Sequence, residues 1–253
     1  MRVFNRRKAG WGWLPIILFL GLWELAARAG IMPGRLLLPP FSEVLVQFFF
    51  LNADGLLWKN FLASLARVLI GFTIGSAAGI AVGTLMGWRS IIDKTLGPII
   101  SLFYPIPALG WIPLLMLWVG INELLPIILI FICSFFPILY NTVTGIKSVD
   151  RDYIRVARTL GASESRILFK VVLPLALPNI FTGLRLEAGM AWRTIIAAEM
   201  VAIPTGIGAL LMKAESLMRL DIIIVCLAIL AVMCLTFEKF FLLLEQRLTS
   251  EWR

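Results

Sequence analysis

The chain has 253 residues, 60% of them hydrophobic and only 15% charged; no water-soluble fold could bury that much apolar surface, so the expected solvent is a bilayer. Its net charge of +8 lies mostly beside apolar runs, as membrane topology requires, and not among interleaved aromatics, which argues against nucleic-acid binding. Histidine is absent, excluding His-based triads and His-ligated metal sites; Cys133, Cys226 and Cys234 sit in apolar runs without Cys-x-x-Cys spacing, so they read as small hydrophobes.

Apolar runs of about 20 residues predict an all-α integral membrane protein with about six spans, near 11–27, 61–87, 95–119, 124–146, 173–201 and 222–244. The first reads as a retained anchor, since no small-residue cleavage site follows a short apolar core. At its end Glu24 and Arg28, four apart, are expected to pair. Pro33, Pro39 and Pro40 then break the chain, and Ser42 is placed to cap a short interfacial helix from Glu43. In the second span Gly71, Gly75, Gly79 and Gly83 recur every four residues, predicting a face that another helix approaches closely. The third holds Pro105, Pro107 and Pro113 beside Tyr104 and Trp111. Those prolines mark either a break bordering a wet cavity or fixed packing kinks. With the N-terminus inside, fourteen Lys and Arg fall in cytoplasmic segments and five on the opposite side. That asymmetry predicts both termini in the cytoplasm.

Residues 147–172 form the longest polar interruption, predicted to be cytoplasmic. Asp150 suits an N-cap and Asp152 the first turn of a helix. Tyr153, Val156, Ala157 and Leu160 follow at i, i+3, i+4 and i+7, one apolar stripe. Gly161 is placed to close the helix in a left-handed cap, and Ser163 to cap a second, with Glu164 in its first turn, running toward Leu173 and Pro174. Such a short helix either lies on the membrane, folds back on its own chain, or docks a partner.

This segment resembles the signature loop of permease subunits in binding-protein-dependent ABC importers: Glu-Ala-Ala, three residues, Gly, nine residues, Ile-x-Leu-Pro. Here "RVARTLG" occupies the first positions, and nine residues after Gly161 comes "VVLP", Val171 to Pro174. Arg155 stands where the family usually has glutamate, Val156 replaces the first alanine, and Ala157 keeps the second. "YPIPALGWIPLLMLWVGI", "FFPILYNTVTGIKSVDRDYIRVARTLGAS" and "TLGASESRILFKVVLPLALPNIFTGLRLEAGMAWRTIIAAEM" are similar to the branch serving nitrate, sulfonates and taurine.

The resemblance implies a type I importer architecture. A leading unit would span 1–60, a permease core 61–246 with the coupling loop at 147–172, and a cytoplasmic tail 247–253. It implies an inner-membrane location, a second permease copy, a dimer of separate ATPases and an extracytoplasmic binding protein. Asp152, Tyr153, Arg155, Val156, Ala157, Arg158, Leu160, Gly161, Ala162 and Ser163 would form the coupling helix seated on the ATPase. No phosphate-binding Gly-x-x-x-x-Gly-Lys-Ser/Thr loop occurs, so ATP and Mg belong to that partner, and this chain is expected to bind no cofactor. ATPase closure would drive the coupling helices together and switch the pore by rigid-body alternating access.

The fifth span carries Arg185, Glu187, Arg193 and Glu199. Intramembrane charges are costly unless paired or wetted. Arg185, Trp192 and Glu199 share one helical stripe, with Arg193 about 80° from Arg185 and Glu187 nearly opposite. Two readings stand: pairing that holds the bundle together, or a cavity lined by Arg185, Trp192 and Arg193 that attracts an anion. Arg185, Trp192, Arg193 and Glu199 are therefore the substrate-pathway candidates. The expected cargo is a small anion such as a sulfonate, taurine or nitrate, with a neutral or cationic metabolite as the alternative. A stand-alone secondary transporter would need inverted repeats, and a membrane enzyme would need clustered acids or histidines; neither pattern is seen.

Overall fold

The computed structural model describes residues 14–30 and 38–249. The predicted N-terminal charges, Pro33, and the last residues of the tail lie outside that range. Eleven α-helices are present among the described residues: α1 (Leu14–Arg28), α2 (Phe41–Ala53), α3 (Leu56–Trp88), α4 (Ser90–Phe103), α5 (Ile112–Trp118), α6 (Leu124–Lys147), α7 (Arg151–Thr159), α8 (Glu164–Ile167), α9 (Leu173–Ala202), α10 (Ile207–Ser216) and α11 (Leu220–Thr249).

Four helical stretches are long and apolar enough to cross a membrane: α3, α6, the rod Glu164–Ala202 and α11. The third predicted span is not a straight crossing. Ser90–Phe103 and Ala108–Trp118 meet at 84°, so the pair counts as one span only as a broken one. Tyr104 keeps helical dihedrals although it precedes Pro105. The chain leaves the helix after it, where Ile106 precedes Pro107, whose ring disfavours helical backbone at Ile106, and Pro107 itself is extended with ψ 139°. The first predicted span is described only from Leu14, and its 15 residues fall short of a full crossing.

Close backbone approach organises the centre. A Cβ added at Gly75 would lie 2.8 Å from the Phe131 carbonyl oxygen, and one at Gly79 2.8 Å from that of Phe135. At Gly71 and Gly83 the nearest α6 atoms would be 2.7 and 2.8 Å away. The four-residue glycine repeat is thus the seam of α3 on α6, where dispersion contacts and not hydrophobic exclusion drive packing in lipid. Gly183 of α9 meets Asn141 of α6 in the same manner. α11 covers α3 and α9 through Phe237 and Phe241, which contact Phe72, and through an edge-on contact of Phe237 with Trp192. Only 11% of the most apolar stretch of α11 is buried inside the chain; the rest is left for lipid or another subunit.

Two local expectations change. α2 begins at Phe41, not Glu43, and Ser42 is not its cap. The Glu24 carboxylate takes that role from outside, accepting from the Ser42 backbone N–H at 3.1 Å and its hydroxyl at 2.9 Å. Glu24 also holds Arg28 at 2.7 Å, as its spacing predicted. Further on, the span predicted from 173 has no break before it, and the helix capped by Ser163 runs straight into it. A π-helical turn, Leu168–Val172, joins α8 to α9 without interruption. Pro174 lacks an N–H and crowds the carbonyl four residues back; the widened turn absorbs both defects. The polar hairpin therefore ends near Ser163, and residues 164–172 belong to the 39-residue rod.

Candidate functional site: a polar hairpin, a charged hub and an open cavity

The hairpin at 148–163 is built from its ends inward. Asp150 caps α7 by accepting from the Asp152 N–H at 2.9 Å. At the other end Gly161 has φ +77°, and the Ala162 N–H donates to the Ala157 carbonyl (3.0 Å) while the Gly161 N–H donates to Arg158 (2.9 Å). This is the Schellman closure, which needs a residue tolerant of left-handed backbone. Ser163 caps α8, accepting from Arg166 N–H at 3.4 Å. Arg158 grips Glu164 through two bonds, at 2.9 and 3.2 Å, across the turn. Arg155 pairs with Asp152 on its own helix at 2.9 Å.

The predicted stripe divides. Ala157, together with Ile154, Val149 and Ala162, packs onto the main core. Tyr153, Val156 and Leu160, at i, i+3 and i+7, point away and are 59%, 59% and 81% exposed. The hairpin is anchored to its own bundle on one face and presents an apolar ridge on the other.

At the opposite end of the bundle lies a charged hub absent from the sequence-based reading. Arg67 of α3, its side chain 4% exposed, donates to Glu199 (2.7 Å), to both Glu123 oxygens (2.6 and 2.7 Å), and to the carbonyl and hydroxyl of Thr205. Glu199 also accepts from Ser64 at 2.8 Å and from the Gly208 N–H at 3.0 Å. Asn60 and Ser64 accept from the N–H groups of Gly206 and Ile207. Three otherwise orphaned donors at the start of α10 are thus satisfied by side chains of α3 and α9. The signal was present: Asn60, Ser64 and Arg67 fall at i, i+4 and i+7 in an apolar run, a polar stripe continuous with Gly71 and Gly75.

The cavity, of about 370 Å³, opens beside the break between α4 and α5. Tyr104, Ile106, Pro107 and Leu109 form one wall, Cys133, Phe136 and Pro137 of α6 another, and Glu187, Met190, Arg193 and Thr194 of α9 the third. Of the four substrate-pathway candidates, Arg193 faces this space. Arg185 instead lies 3.6 Å from Glu245 of α11. Trp192 is 1% exposed within the core, and Glu199 is consumed by the hub. Helical phase explains the difference: Glu187, Met190 and Thr194 form the i, i+3, i+7 stripe that faces α6 and the broken helix, nearly opposite Arg185. Glu187, set apart in the sequence-based reading, belongs to the cavity wall.

A polytopic helical bundle with a broken span beside an open cavity and a protruding, half-anchored hairpin is the architecture of a membrane transport subunit. Residues 71–250 match the family model described as the binding-protein-dependent transport system inner membrane component. The taurine transport system permease protein of Escherichia coli strain K12 is 36% identical over 232 residues, covering 90% of this chain and 84% of that one. The bicarbonate transport system permease protein of a Synechocystis strain is 39% identical over 194 residues, covering 74% and 69%. Among solved structures, a membrane chain in the inward-facing MetNI methionine ABC transporter aligns with a TM-score of 0.57 over 75% of this chain and 96% of its own, at 18% identity. The chain belongs to the binding-protein-dependent transport system inner membrane components: it is a permease of the type I ABC importer class.

Proposed function

We propose that the chain lines the translocation pathway of an ATP-driven importer for a small organic or inorganic acid, and that α7 is the helix through which a separate ATPase drives it. The observation that carries the coupling role is the exposed ridge of Tyr153, Val156 and Leu160 on a hairpin whose other face is fixed to the bundle. A rigid apolar ridge suits a hydrophobic groove on a partner, with Arg151 and the Arg155–Asp152 pair beside it for polar registration. Where the family glutamate is replaced, Arg155 reverses the charge offered to the ATPase, so its contact there is to an acidic or carbonyl group. ATP and Mg reside on that partner.

The acid cargo is supported by Arg193 on the cavity wall, and by relatives whose names specify taurine and bicarbonate permeases. A second copy of the chain completes the pathway, and an extracytoplasmic binding protein delivers the substrate. The Lys/Arg asymmetry puts the α7 hairpin in the cytoplasm and the Arg67 hub toward the outer face. The coupling role is tested by Leu160→Asp: the ATPase should no longer co-purify in mild detergent, and undiminished co-purification refutes the assignment. The cargo is tested by Arg193→Ala: uptake should be lost while thermal stability is retained, and intact uptake refutes it.

A further inference from the structure

Two opposite charges line the cavity without neutralising one another. Glu187 is 8% exposed, and among the described residues its hydrogen-bond partner is the Cys133 thiol at 3.6 Å, a weak donor. Arg193, exposed at the mouth of the cavity, contacts the Met190 sulfur at 3.7 Å and the Cys234 thiol of α11, and makes no ion pair among the described residues. The contrast with Glu199 is instructive, because that buried carboxylate has its guanidinium at 2.7 Å and its own amide donor. A carboxylate held in apolar surroundings with no cation is strongly unfavourable. Natural sequences keep such a group where a ligand supplies what the protein withholds.

We propose that this cavity is a two-pole site for a zwitterionic acid, in which Arg193 takes the acid group and Glu187 takes the ammonium group. The inference rests on reading the cavity as part of the pathway. Six residues apart on α9, the two poles are separated by about 9 Å along the helix axis. Their side chains close part of that gap, leaving room for amine and acid groups a few bonds apart. Apolar walls from Ile106 and Phe136 border the space, and at the buried Glu187 end, where water is least able to screen, attraction and repulsion are strongest. A simple anion would meet Arg193 and be repelled by Glu187. A simple cation would face the reverse. Only a molecule carrying both signs satisfies both groups at once.

The test uses the permease–ATPase complex in lipid nanodiscs, without the binding protein, whose own selectivity would mask the permease. Saturable binding is measured for radiolabelled taurine and for isethionate, which has a hydroxyl in place of the ammonium group. Taurine should bind at least about tenfold more tightly, since a site built to pair a charged group rejects the analogue lacking it. Glu187→Gln should erase that preference without weakening isethionate, and Arg193→Gln should weaken both. Equal binding of the two acids, or a preference that survives Glu187→Gln, overturns the two-pole site and leaves the acid pathway standing. Binding of neither acid, or of both in Arg193→Gln, overturns the pathway reading itself. If Glu187→Gln does not fold, the wild-type ratio decides the matter alone.

Discussion

Replacing Glu199 with alanine is the most informative perturbation of this molecule. Its side chain has no solvent exposure, and it accepts from Arg67, Ser64 and the Gly208 N–H. Without it, the Arg67 guanidinium, 4% exposed, keeps Glu123 and Thr205 but loses its buried partner. Removing one member of a buried pair typically destabilises by about 3–5 kcal/mol. The newly unsatisfied Gly208 N–H is part of the same loss, so the terms overlap and do not add. Glu123 offers the internal control. Its side chain is 67% exposed, so Glu123→Ala should cost less than about 2 kcal/mol, between a surface pair and a bond to a buried charge. Thermal unfolding of the purified protein in nanodiscs should therefore rank Glu199→Ala far below Glu123→Ala. Glu199→Gln, keeping an acceptor, should fall between them. Equal midpoints for the two alanine variants would refute the claim that burial sets the weight of this hub.

Three further outcomes are expected. Gly161→Ala forces a left-handed backbone on a residue with a Cβ, although no atom within 4 Å opposes it; about 1–2 kcal/mol of local strain should weaken ATPase co-purification, and Gly161→Asn should weaken it less. Gly79→Leu drives a side chain into the Phe135 carbonyl, 2.8 Å from an added Cβ, so the protein should fail to give a monodisperse peak in size exclusion, whereas Gly97→Leu, with open space around it, should not. The Arg67 hydrogen bond holds the Glu123 carboxyl below its ordinary 4.5, with partial burial opposing and the Arg67 charge assisting. A depressed folded value contributes stability above the unfolded value, lost as pH falls through the folded one. The stability difference between wild type and Glu123→Gln should hence be constant from pH 8 to about 6 and shrink only below about 4.5; shrinkage near neutrality would contradict it.

Local features were legible because they depend on neighbours in the chain. The Asp150 cap, the Gly161 closure, the Glu24–Arg28 pair and the glycine seam of α3 each follow from residues within a few turns. The third span misled because hydropathy averages over Tyr104–Pro107 and does not register that the chain turns there by 84°. The boundary between the polar interruption and the span at 173 misled in the opposite direction, since a π-helical turn joins the two into one rod.

What composition and spacing determined was the solvent, the class of fold and the presence of a capped polar hairpin: bulk apolarity, span length and capping chemistry are all written along one dimension. Which charge meets which was decided only in three dimensions. Arg67 lies 132 residues from Glu199, and the phase of α9 alone turned Glu187 and Arg193 toward the cavity while sending Trp192 into the core and Arg185 to Glu245. In a bilayer every helix is apolar on most sides, so periodicity gives little hint of the inward face; the small residues that let helices approach, and the charges that then find partners, fix it.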